Sequence, residues 1–180
     1  VSPSACSTRT PPRGARSPIT RAEALAQSDD QADGPTPGSW IWLLHDDSAP
    51  EPACLAELRA VVANTRTVAM AGPKQVDWEH PEELLEVGLR TTASARRTND
   101  IVEGEIDQGQ YDSRSDVLAV GTAGALIRRS AWSALDALSD DIGPFGDGLA
   151  ISRALRLAGH RVVVVRVLRL LHSARVHAYP

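Results

Sequence analysis

Trp40 to Leu44 (WIWLL) is an unbroken apolar and aromatic run that ends without transition in His45-Asp46-Asp47. The run is too short for a helix and is bounded by polar residues, so it predicts a buried strand with acids at its C-terminal tip. Open α/β sheets bind ligands at the C-terminal ends of their strands, which gives this position functional weight. Adjacent carboxylates repel each other unless a cation lies beside them, and hard oxygen ligands suit Mg²⁺ or Mn²⁺ that also holds a diphosphate. Taken alone, the doublet fits capping of the following helix as well as it fits metal binding.

The neighbouring segments build a sheet around that strand. Glu51 to Asn64 places Leu55, Leu58, Val61 and Val62 at helical spacing, with Glu51 at the end that the helix dipole favours. Val68 to Pro73 then reads as a second strand, so strand, helix and strand follow in the order of a parallel crossover. Leu84 to Asp107 combines short β-like runs (LLEVGL, DIVEGEI) with a polar turn at Ser94 to Asn99, which predicts an edge hairpin in a mixed sheet. Val117 to Arg128 (VLAVGTAGALIR) reads as a strand interrupted by Gly121 and Gly124, and a short helix capped by Ser130 runs to Leu138. Gly148 to Ala158 predicts a helix closed by Gly159, and the valine-rich run from Arg161 to Leu168 predicts a buried strand.

Residues 1–18 are rich in Ser, Thr, Pro, Arg and Gly without hydrophobic period and are expected to be disordered; a short helix follows from Thr20. Residues 19–180 are expected to form a single domain. With 42% hydrophobic and 23% charged residues, most of the chain has a globular composition. A formal net charge of -4 provides no global positive field for nucleic acid or an anionic membrane. Only Cys6 and Cys54 are present, which fits a reducing compartment rather than a disulfide framework. No run reaches the length of a membrane span, so a soluble, cytoplasmic chain is expected, at most docked to the inner membrane face.

WIWLLHDDSAPEP, followed by a helix and a strand ending in GPK, resembles the central region of family 2 glycosyltransferases, in which an Asp-x-Asp-type motif follows a hydrophobic strand. VLAVGTAGALIRRSAW is similar to that family's small-residue strand, and GPFGDGLAISRALRLAGHRVVVV to its acidic helix start, Ala-Gly-His-like turn and strand. The resemblance covers about Trp40 to His172, with the motifs in the family's order. It implies an α/β, GT-A-like fold of the nucleotide-diphospho-sugar transferase type: a mixed sheet flanked by helices.

The resemblance also implies roles. Asp47 corresponds to the last acid of the motif and contacts a divalent metal, Mg²⁺ or Mn²⁺, joined by His172 after the last strand; Asp46 lies beside it near the donor sugar. His45 stands where many members have an acid. Gly121, Thr122, Ala123 and Gly124 form the floor of the donor and acceptor site. Asp147 is the base for an inverting transfer from a nucleotide-diphosphate sugar to a saccharide, lipid-linked or protein hydroxyl, as in cell-wall or polysaccharide synthesis. The alternative is a helix cap only, since Gly148 and Ala150 stand where relatives carry acids. Trp78 and Trp132 fit either core or acceptor groove.

Family members begin with a further βαβ unit that holds the nucleotide, whereas about forty largely polar residues precede Trp40. The expectation is therefore an N-terminally truncated GT-A domain, with three explanations: a shortened reading frame, a degenerate protein, or a piece completed by another polypeptide. The rival function is a non-catalytic remnant serving as a binding or scaffold module. A nucleotidyltransferase is a weaker alternative, because Gly14-Ala15-Arg16 is a poor substitute for a Gly-rich phosphate loop.

Overall fold

The structure, a computed structural model, describes residues 39–63, 65–93, 96–98, 100–113, 115–133, 135 and 147–172. The expected disorder of residues 1–18, the helix from Thr20 and the end of the helix toward Leu138 lie outside the described residues. Among the described residues, eight strands and three helices follow one another: β1 (Trp40–Trp42), β2 (Ser48–Pro50), α1 (Cys54–Ala63), β3 (Val68–Asp77), β4 (Leu84–Glu86), β5 (Arg90–Thr91), β6 (Arg97–Thr98), β7 (Leu126–Arg128), α2 (Arg129–Ser133), α3 (Asp147–Leu157) and β8 (Arg161–His172).

One sheet runs in the order β1-β7-β3-β8-β2, with β4 paired to β3. β3 and β8 are parallel, and the other pairings are antiparallel. The sheet is thus mixed, as expected. The expected parallel relation is found: β1 and β3 run the same way, with β7 between them and antiparallel to both. Strand, helix and strand in sequence fix relative direction more firmly than adjacency, because a later segment can enter the gap.

The valine-rich run forms β8 because it is covered on both faces. Val163 and Val165 pack with Cys54, Leu58 and Val62 of α1, together with Val68, Ala71 and Leu126. On β3, Met70 is met by Ser152 of α3, whose hydroxyl lies 3.4 Å from the Met70 sulfur. Burial pushes the Cys54 thiol up to about 11, with Glu51's charge adding to the shift, which leaves it a core residue rather than a nucleophile.

Two expected strands are shorter than their apolar content suggests. Val117 to Arg128 enters the sheet as β7 only; the rest bends, held by bridges from Asp116 to Val163 and from Ala119 to Leu89. Gly124, at φ 74°, takes the chain into a left-handed turn that a continuous strand excludes. The DIVEGEI run adds a single bridge, Ile106 to Glu83, while β5 and β6 make the small hairpin. DIVEGEI belongs to a loop pinned by charge instead: Lys74, 2% exposed on β3, donates to Asp107 at 3.0 and 3.1 Å and pairs with Asp112 at 2.7 Å.

That pinning carries a pH dependence. Burial alone raises the Asp107 carboxyl, but hydrogen bonds from Lys74 and the Gly109 N–H, with the charges of Lys74 and Arg169, outweigh it and hold the carboxyl below the ordinary aspartate range. A depressed folded-state pKa contributes stability above the unfolded value and loses it as pH falls through the folded one. Asp107→Asn is expected to lower the unfolding free energy by roughly 2 kcal/mol near neutrality, the worth of a charged hydrogen bond, since Lys74 keeps its pair with Asp112. The deficit relative to wild type should shrink below about pH 4. Urea unfolding at both pH values checks this.

Candidate active site

The tip of β1 is clamped before it reaches the acids. Leu43 N–H donates to the Ala125 carbonyl at 2.8 Å, Gly124 N–H returns to the Leu43 carbonyl at 2.9 Å, and the Trp42 indole donates to the Gly124 carbonyl at 3.0 Å. His45 to Ser48 then forms a tight turn: the Ser48 hydroxyl and N–H donate to the His45 carbonyl at 2.9 and 3.2 Å. The chain leaves this turn along β2, where Ser48 stands opposite His172 of β8.

His172 reaches that point through an irregularity in the β3–β8 pairing. Val165 opposes Pro73, yet Arg169 opposes the next residue, Lys74. The slip falls where proline has no N–H to give the ladder. Pairing then resumes and sets His172 opposite Asp77 on one side and Ser48 on the other.

Three side chains converge there. One ligand atom each from His45, Asp47 and His172 lies within 4.8 Å of the others. His172 Nε2 is 3.4 Å and His45 Nδ1 4.0 Å from Asp47 Oδ1, and the two rings sit 6.0 Å apart, tilted by 58°. Two imidazoles and a carboxylate are a donor set that fits a divalent cation. Asp47 and His172, expected together from sequence, are together; His45, read as a departure from the acidic pattern, joins them. Asp46 is exposed on the same turn and is not part of the cluster.

Asp147 opens α3. Its Oδ2 accepts from the Thr122 hydroxyl at 3.2 Å, and Thr122 Oγ1 is 2.9 Å from His45 Nε2. The cluster of His45, Asp47 and His172 and the acid Asp147 are thereby linked through one hydroxyl. The helix start lies directly on the backbone of Val120 and Gly121: a Cβ on Gly148 would stand 2.6 Å from the Val120 carbonyl oxygen. An acid at position 148 is therefore sterically excluded, which accounts for the departure noted in the sequence.

Of the expected floor residues, Thr122 and Gly124 are bonded to the tip of β1, Ala123 is buried between them, and Gly121 packs on a group that sequence reading missed. Glu86, buried on β4, accepts from Gly121 N–H at 2.6 Å and from Arg97 at 2.9 Å. Any side chain on Gly121 would collide with it, since a Cβ would lie 3.0 Å from both Glu86 oxygens and 2.7 Å from Gln75 Nε2. Burial pushes the Glu86 carboxyl above the ordinary range; Arg97 and the Gly121 N–H oppose this, and the charge of Asp147 adds to it. The available signal was a single acid inside the apolar run LLEVGL, which a buried strand tolerates only with partners.

Trp132 is buried and Trp78, just past β3, is half exposed with its N–H on the His172 carbonyl at 3.1 Å. Arg128 is structural: it donates to the Val68 carbonyl at 2.8 Å and covers the Trp40 ring at 4.7 Å.

A family model described as glycosyltransferase-like family 2 matches residues 10–176. Comparison with curated proteins finds no match. Among the described residues, no helix is long and apolar enough to cross a membrane. The α/β arrangement, a mixed sheet flanked by helices, is GT-A-like. With the match running through every motif that shapes the site, the chain belongs to glycosyltransferase-like family 2.

Proposed function

We propose that the chain carries out an inverting transfer of a sugar from a nucleotide-diphosphate donor to a hydroxyl of a saccharide or lipid-linked acceptor. The observation that supports it most is the linkage of the His45, Asp47 and His172 cluster to Asp147 through Thr122. A catalyst for this reaction needs a cation site for the departing diphosphate and a base for the incoming hydroxyl, on neighbouring positions.

Asp147 takes the proton of the acceptor hydroxyl as that oxygen bonds to the anomeric carbon, and the bond from that carbon to the diphosphate oxygen breaks. His45, Asp47 and His172 hold the cation, and their mixed nitrogen and oxygen set favours Mn²⁺ over Mg²⁺, which prefers oxygens alone. When bound, the cation supplies Lewis-acid stabilisation of the leaving diphosphate. Asp46, exposed beside the cluster, is assigned to the donor, and Gly121 to Gly124 to the floor under the reacting groups.

The test is transfer from a panel of nucleotide sugars with Mn²⁺, followed by chelation. Expected is turnover that inverts the anomeric configuration and stops with chelator. Donor binding by calorimetry without any turnover identifies the chain instead as a non-catalytic binding module and overturns the proposal.

A further inference from the structure

We infer that Thr122 is a positioning residue that sets the tautomer of His45 and thereby aims a ring lone pair into the cation site. The inference rests on the reading of Asp147 as an ionised base.

A hydroxyl has one proton to give and two lone pairs to offer, while an ionised carboxylate only accepts. Thr122 Oγ1 lies 3.2 Å from Asp147 Oδ2, so its proton is committed there. The same oxygen lies 2.9 Å from His45 Nε2 and must accept, which places the imidazole proton on Nε2. In the neutral ring the lone pair then belongs to Nδ1, the atom 4.0 Å from Asp47 Oδ1. The opposite tautomer would turn an N–H toward the cluster and leave two lone pairs facing each other at Thr122.

Thr122 is held firmly enough to impose this choice. It is 5% exposed, its carbonyl accepts from Ala125 N–H at 3.1 Å, and the preceding N–H is fixed on Glu86 at 2.6 Å. Partners of this kind, one bond removed from a metal ligand, orient the ligand and tune its basicity, and their loss typically weakens metal binding about 10–100-fold.

The test uses nitrogen NMR of the histidine side chains in the cation-free protein at about pH 8, where an ordinary imidazole is neutral. His45 is expected as the Nε2–H tautomer in the wild type and in Thr122→Ser, which keeps the hydroxyl. Thr122→Val removes it at nearly constant volume and should shift His45 toward the Nδ1–H form and weaken Mn²⁺ binding about tenfold. A wild-type His45 carrying its proton on Nδ1 overturns the inference without any variant. So does a folded Thr122→Val protein with unchanged tautomer and Mn²⁺ affinity. Should the wild type show the expected tautomer but bind no Mn²⁺, the cation reading fails while the hydrogen-bond chain stands, so the two failures are distinguishable.

Discussion

Replacing Asp147 by Asn is expected to slow sugar transfer by about 10²–10⁴-fold, the usual contribution of a positioned general base. Asn keeps the shape, but its single carbonyl oxygen can replace only one of the two accepting oxygens, Oδ2 toward the Thr122 hydroxyl at 3.2 Å or Oδ1 toward the Gly148 N–H at 2.7 Å. What it loses is proton affinity. The fold should tolerate the change, because the helix start loses a favourable dipole interaction of about 0.5 kcal/mol while repulsion with buried Glu86 is relieved. The KM for donor should therefore stay near that of the wild type while kcat falls, as expected for an interaction made mainly in the transition state. Steady-state transfer kinetics check both parameters; equal kcat values in the two proteins would leave Asp147 only its role as a helix cap.

The second large effect is expected for Asp47→Ala. Asp47 Oδ1 is the atom that both imidazoles approach, at 3.4 and 4.0 Å, so its loss removes the centre of the cluster rather than one edge. Lewis-acid stabilisation of the kind assigned here is worth several kcal/mol, which corresponds to about 10³-fold in kcat. Stimulation by Mn²⁺ should vanish with it. Circular dichroism and thermal unfolding serve as controls, because His172 is buried and relies on the same carboxylate. A stable variant with wild-type, Mn²⁺-stimulated transfer would remove Asp47 from the reaction.

Much of the frame was legible because it is written locally. The strand expected at Trp40 to Leu44 appears as β1, though over Trp40–Trp42 only, half-buried, with Leu44 44% exposed, and the valine run appears within β8 with Val162 to Val165 buried. Cys54, Leu58 and Val62 follow helical spacing onto the core, although Val61, expected on the same face, is 40% exposed. The site was legible only in part. Asp47 and His172 could be paired on a family resemblance, but His45 is held beside them by a bond to Thr122, 77 positions away, and sequence carries no sign of such a contact. Glu86 was hidden for a related reason. Its burial becomes intelligible only once Arg97 and the Gly121 N–H are seen to reach it, from a hairpin and a bend whose arrival depends on tertiary pairing. The glycine at 148 looked like a lost acid and proves to be a steric requirement, since the fault lay in comparing residue types without the backbone that crosses beneath them.

The proposed transfer requires a cation bound by two imidazoles and a carboxylate. Pulsed electron paramagnetic resonance of Mn²⁺ added to the wild-type protein with a nucleoside diphosphate reads those ligands directly. A single tight site with nitrogen couplings from His45 and His172, lost on Asp47→Ala, is the expected result. Mn²⁺ that binds with oxygen ligands alone, or that binds equally well to the Asp47→Ala protein, would contradict it.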